Sequence, residues 1–145
     1  MGACLRLARR HFGQTGTNPS VGTLIVVNEG GQSVIVGRGI TAKGGRPHAE
    51  PLALAEAGDR ARGATAYVTL EPCSHYGQTA PCANALIEAG ISRCFIAVVD
   101  PDPRVNWRGA ALLQEAGIDV WVGLCEDEAE AAHEAFFARV TSAID

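Results

Sequence analysis

Hydrophobic and polar positions follow two rhythms along the chain. Between residues 2 and 12, Leu5, Leu7, Ala8 and Phe12 fall at mixed helical spacing and predict a first helix. Gly13–Ser20 is turn-rich, with Asn18-Pro19 marking a loop. Thr23–Val27 and Val34–Ile40 are β-rich runs joined by Asn28-Glu29-Gly30-Gly31, a hairpin signal. Thr41–Pro47 reads as a Gly-rich loop, and Pro47 can precede or start a helix that continues through Ala57. Strand and helix then alternate. Thr65–Leu70 predicts a strand, Glu71–Pro81 a long loop, and Ala80–Glu88 a helix stopped by Gly90. Cys94–Val99 predicts a strand, Asp100–Val105 a Pro-punctuated loop, and Gly109–Ala116 a helix. Ile118–Gly123 predicts a strand, and Glu126–Val140 a helix with acidic residues in its first turn, as the helix dipole favours. The order α-β-β-α-β-α-β-α-β-α predicts an α/β fold, a mixed five-stranded sheet covered by helices.

Composition narrows this little but excludes a good deal. A length of 145 residues fits one domain, 1–145, with a core that needs no disulfides. Apolar residues at 47% and charged residues at 19% are ordinary for a globular chain. The longest apolar runs, Thr23–Val27 and Phe95–Val99, are too short to span a bilayer. Met1–Arg10 has no secretory pattern, so no membrane partner and a cytoplasmic location are expected. A formal charge of −4 argues against a nucleic-acid partner, since phosphate-backbone affinity needs a basic face. The only Lys is Lys43, against eleven Arg. A GC-rich genome is the simpler reason for that skew, but Arg also suits a small phosphorylated ligand.

Five cysteines in a chain without a secretory pattern point to metal or catalytic use rather than disulfides. Cys94 and Cys125 sit in apolar strand-like segments and read as fillers, and Cys4 on the first helix carries no visible chemistry. That leaves Cys73 and Cys82. Each follows a proline, in Glu71-Pro72-Cys73 and Pro81-Cys82, and both lie downstream of Pro47-His48-Ala49-Glu50. The predicted elements put His48 and Cys82 at two helix starts and Cys73 at a strand end, on the sheet edge where α/β sites form. One imidazole and two thiolates give Zn2+ three ligands and leave a fourth position for water, whose pKa falls to about 7. Glu50, beside the metal but not on it, is placed to move that water's proton. A closed structural zinc site would need a fourth protein ligand, Cys4 or His75, and would leave Glu50 without a task. The zinc-deaminase signature is His-x-Glu followed by Pro-Cys-x-x-Cys, and the match here is partial because eight residues separate the cysteines.

Further segments carry a resemblance along nearly the whole chain: Asn18-Pro19-Ser20-Val21-Gly22, Tyr67 through His75, Thr79-Ala80-Pro81-Cys82, Ala89-Gly90-Ile91 and Asp100-Pro101-Asp102-Pro103. With the eight-residue spacer, the chain resembles the deaminase domain of the bacterial bifunctional riboflavin-biosynthesis deaminase/reductase. The resemblance implies a cytidine-deaminase-like three-layer α/β/α fold and an aminopyrimidine substrate carrying phosphoribose. It implies homodimers or homotetramers, and the Cys73 backbone N–H as support for the oxygen that attacks. It also implies substrate contacts at Asn18, Thr41, His75, Gln78 and Asp100. Thr41 stands where many members have His, and Gln78 where they have Lys or Arg. Asn106-Trp107 replaces a usual Ala-Gly, and the Trp is expected to narrow or reshape the mouth of the pocket. Lys43, Arg46, Arg104 and Arg108 are the candidates to take over a phosphate. These departures keep open a zinc deaminase of another nucleobase, nucleoside or aminated heterocycle, a nucleic-acid deaminase, and a non-catalytic zinc-binding module. The chain ends at Asp145, where the family's reductase half would begin, so a stand-alone enzyme and a separated domain are both open.

Overall fold

The computed structural model describes residues 1–77, 79–103 and 105–144. Strands β1 (Gly22–Glu29) and β2 (Gln32–Ile40) form the expected hairpin, with Gly30 and Gly31 both at positive φ in its turn. Asn28 Oδ1 accepts the Gly31 N–H at 3.0 Å, so the turn closes on its own side chain. Strand β3 (Thr65–Val68) runs antiparallel to β1, while β4 (Arg93–Ile96) and β5 (Asp119–Val122) continue in parallel. The sheet order is β2-β1-β3-β4-β5, mixed as the alternation of elements requires.

Helices α2 (Ala49–Ala57), α3 (Cys82–Glu88) and α4 (Arg108–Glu115) pack side by side over one face. On the other face lies α1 (Gly2–Ala8), in contact with α5 (Glu126–Ala132). The strand period sorts the core between these layers. Ala66, Val68, Cys94 and Ile96 are fully buried, whereas Tyr67, Phe95 and Trp121 stack as a ladder on the opposite face, ring centroids 5.1 and 4.9 Å apart. The closest approach of helix to sheet depends on Gly39. A Cβ there would sit 2.0 Å from the Ala49 carbonyl oxygen, so any other residue would push the start of α2 away.

Several boundaries differ from the sequence expectation. The first helix ends at Ala8 and tightens into a single 3-10 turn, Arg9–His11. The second starts at Ala49, because His48 keeps an extended backbone and caps it. Strands β3 and β4 end at Val68 and Ile96, although single bonds continue the ladder, such as Ala97 N–H to Val68 O at 3.0 Å. The expected helix over 126–140 is two helices, α5 and α6 (Glu134–Ile144), broken at His133. The cause is a tertiary contact: His133 is 2% exposed, with Nε2 3.1 Å from Thr69 Oγ1, which also accepts the Gly22 N–H. Burial pushes the His133 imidazole down to about 4.

Candidate active site

Two helix N-termini and one strand end converge as the sequence implies. His48 caps α2, Glu50 lies in the first turn of that helix, and Cys82 is the first residue of α3. Cys73 follows β3, and its carbonyl accepts the Ala83 N–H at 3.1 Å, fastening the Cys73 turn to α3. His48 Nδ1 lies 3.4 Å from Cys82 Sγ and 4.0 Å from Cys73 Sγ, and the three donor atoms all fall within 4.8 Å of one another. Zinc bonds of about 2.0–2.3 Å at tetrahedral angles put a nitrogen and a sulfur about 3.6 Å apart, and the observed distances bracket that value. The donor set therefore fits a three-ligand zinc site, and no fourth His, Cys, Asp or Glu joins it among the described residues.

The electrostatics agree with metal ligation. The Cys73 thiol is pulled down to about 4, chiefly by the Cys82 thiol, then by His48 and by the Cys82 backbone N–H, which donates to Cys73 Sγ at 3.1 Å. The Cys82 thiol is pushed up, because its proton is shared with Cys73 and because it is buried. His48 is raised by its Cys73 partner, against burial and against the nearby Arg46 guanidinium. Glu50 is 4% exposed, and burial, then the Cys73 charge, lift its carboxyl to about 7. A carboxyl balanced near neutrality can both accept and return a proton. Cys4 and Cys94 are buried thiols whose pKa burial raises, and Cys4 Sγ donates to Tyr67 O at 3.3 Å, so neither takes part.

A cleft of about 690 Å³, including its open mouth, leads down to Glu50, His48 and Cys73. Asn18, Thr41, His75 and Asp100 all line it. Asn18 Nδ2 donates to the Gly45 carbonyl at 2.9 Å, which ties the two loops at the entrance together. Thr41 is 1% exposed, and its Oγ1 accepts the Val21 N–H at 2.9 Å, so its hydroxyl also holds the wall. Asp100 Oδ1 accepts the Asp102 N–H at 2.9 Å. Gln78 and Arg104 lie outside the described residues. Of the other candidate cations, Arg46 lines the cleft, Lys43 does not, and Arg108 lines a separate surface groove with Ser74 and Glu115.

Trp107 does not reshape the mouth as expected: its side chain is 52% exposed and outside the cleft lining. Its backbone accounts for a Gly at this position, and nothing in the structure explains the Trp. Trp107 has φ 66°, the left-handed region in which Gly is least strained. Asn106, the other departure, donates from Nδ2 to the Asp100 carbonyl at 2.8 Å and closes the same loop.

Two contributors were not singled out by the sequence. Phe136 on α6 lines the cleft, delivered there by the break at His133. Glu71, buried to 4% exposure, accepts the Asp100 and Trp107 N–H groups on Oε1 at 3.2 and 3.1 Å and the Ala110 N–H on Oε2 at 3.1 Å. Burial raises its carboxyl while those N–H groups and that of Gly109 oppose the rise. The Glu71-Pro72-Cys73 run pointed at this segment, but nothing in it announced the long-range donors.

Residues 1–98 match the zinc-binding region of the cytidine and deoxycytidylate deaminases. The chain belongs to this deaminase family. Among the deaminase's relatives is RibD of Aquifex aeolicus, a riboflavin biosynthesis protein, 49% identical over 141 residues and 97% of this chain. Among solved structures, RibD of Acinetobacter baumannii superposes with a TM-score of 0.88 at 42% identity over 97% of the chain. A diaminohydroxyphosphoribosylaminopyrimidine deaminase/5-amino-6-(5-phosphoribosylamino)uracil reductase from Thermotoga maritima gives 0.88 at 36% identity over 99%. The deaminase fold is therefore that of the RibD deaminase domains. The chain spans about two fifths of these proteins: 38%, 39% and 40% of their lengths. The family is zinc-binding, and His48, Cys73 and Cys82 stand where such a site can form. Among the described residues no helix is long and apolar enough to cross a membrane.

Proposed function

We propose that this chain is the hydrolytic deaminase of riboflavin biosynthesis, converting diaminohydroxyphosphoribosylaminopyrimidine and water to 5-amino-6-(phosphoribosylamino)uracil and ammonia. The observation that carries this reading is the buried Glu50 carboxyl beside a His48–Cys73–Cys82 triad, in a chain 49% identical to a riboflavin biosynthesis protein. His48, Cys73 and Cys82 hold the zinc. The bound metal supplies a water acidified to a pKa of about 7. Glu50 takes a proton from the attacking water and delivers it to the ring nitrogen. It then takes the proton of the newly added hydroxyl and passes it to the amine at the ring's 2-position, which leaves as ammonia as the carbonyl forms. The backbone N–H of Cys73 supports the negative charge growing on the attacking oxygen. Asn18, Thr41, His75 and Asp100 orient the substrate from the cleft walls, with Gln78 assigned to the same task. The protein acts in the cytoplasm as one domain, as a homodimer or homotetramer, on a small molecule rather than a nucleic acid.

The test is ammonia release from the zinc-loaded protein with the phosphoribosylated diaminopyrimidinone, its dephosphorylated form, and a panel of free bases and nucleosides. Turnover of the first is expected, and Glu50→Gln should keep zinc while losing about 100-fold or more in kcat. Turnover of an unphosphorylated base alone would transfer the chain to another deaminase activity. Activity surviving in Glu50→Gln would remove Glu50 from the mechanism, and zinc binding with no turnover of any compound would favour a non-catalytic module.

A further inference from the structure

Charge is distributed unevenly around the cleft. Three carboxylates line it, Glu50, Glu71 and Asp100, and Arg46 is the cation among its described residues. The Glu71 and Asp100 carboxylates are both turned to backbone N–H groups. Arg46 is different. It is exposed at the mouth, and neither of the ion pairs found among the described residues involves it. Its guanidinium reaches across towards the loop that follows Cys73, 3.8 Å from where a Cβ on Gly77 would stand. A dianionic group entering this cleft meets repulsion at the floor and a planar fork of donors at the rim.

We propose that Arg46 is the specificity-determining residue of this cleft, binding the phosphate of the substrate at the mouth between residue 46 and the Ser74–Gly77 loop. The inference rests on the proposed function in that it takes the substrate to be a phosphorylated aminopyrimidine. It adds which residue reads the phosphate, and it sets aside Lys43 and Arg108 for that role. The fork of the guanidinium donates to two phosphate oxygens, with the heterocycle directed inward to Glu50. His75, also lining the cleft, stands on the loop that Arg46 faces.

The experiment compares wild type, Arg46→Ala and Arg46→Lys, all zinc-loaded. The first readout is the ratio of kcat/KM for the phosphorylated substrate to that for its dephosphorylated form. A charge-assisted bidentate contact predicts that this preference falls about 10- to 100-fold in Arg46→Ala, mostly through KM, with partial recovery in Arg46→Lys. A preference retained in Arg46→Ala overturns the proposal, whether or not overall activity falls. The second readout needs no turnover. Ribose 5-phosphate and ribose are titrated by NMR against each protein. Wild type should bind the phosphate ester in preference to ribose, and Arg46→Ala should weaken it at least tenfold. Equal binding of ribose 5-phosphate to wild type and Arg46→Ala overturns the subsite even if the enzyme proves to be a different deaminase. Loss of binding in Arg46→Ala upholds it even if the aminopyrimidine is not turned over.

Discussion

Replacing Glu71 with Gln tests whether one buried carboxylate organises the substrate side of the cleft. The change keeps shape and volume but leaves a single good acceptor where there were two. Asp100 and Trp107 both donate to Oε1, at 3.2 and 3.1 Å, and Ala110 donates to Oε2 at 3.1 Å. In the variant an NH2 group must face one of these N–H donors, and the others meet a neutral oxygen. A hydrogen bond to a charged group contributes about 1.5–3 kcal/mol against about 1 for a neutral one, so the summed loss is about 3 kcal/mol. At about 2–4 °C per kcal/mol for a chain of this length, the unfolding midpoint should fall by about 6–12 °C. Circular dichroism melts of the zinc-loaded proteins at pH 7.5 measure the shift. Amide hydrogen exchange locates it, with faster exchange expected at Asp100, Trp107 and Ala110. A midpoint within 2 °C of wild type, or a loss of stability with those three amides unaffected, would refute the reasoning.

Three other outcomes are expected. Trp107→Gly should be neutral or should stabilise the protein by about 1 kcal/mol in urea unfolding, because it relieves a left-handed backbone at the cost of a ring that is 52% exposed. His133 has its folded pKa depressed to about 4 from 6.5, so its contribution is complete above pH 6.5 and is lost as pH falls towards 4. Between pH 7 and 4.5 that loss is about 2.5 kcal/mol, and a pH series of melts on His133→Gln should show a correspondingly shallower acid decline. Chelation of zinc should remove about 4 kcal/mol of stability where free zinc had stood at a thousand times its Kd, and so lower the melting midpoint reversibly. A midpoint indifferent to chelator would show that the triad holds no metal.

The parts of the fold that were legible in the sequence are those fixed by local chemistry. Pro47, Pro72 and Pro81 mark where strands end and helices begin, and His48, Cys73 and Cys82 stand beside them, so the metal triad could be assembled from spacing alone. The Asn28–Gly31 turn determined the hairpin, and with it the antiparallel edge of the sheet. What escaped depends on contacts across the chain. The acidic, Ala-rich run after Glu126 is locally a continuous helix, and only the Thr69 hydroxyl, 64 residues away, breaks it at His133. Glu71 and Trp107 lie 36 residues apart, and neither predicts that one holds the other. The Asn106-Trp107 departure was visible as a substitution, but not as a left-handed residue that is half-exposed and outside the cleft lining.

The break at His133 lets a late part of the chain reach the cleft. The matched family region ends at residue 98 and contains every residue of the triad together with Glu50. Asp100, Val105 and Phe136, which shape the same cleft, all come after it. The C-terminal stretch thus adds one wall to a cleft whose reactive floor, together with Asn18, Thr41, Arg46 and His75, lies within residues 1–98. On a ribosome, the metal ligands would emerge well before Phe136, the last residue to join the wall. Selection acting on residues 99–144 can therefore trim that wall while the proton-transfer machinery stays as it is.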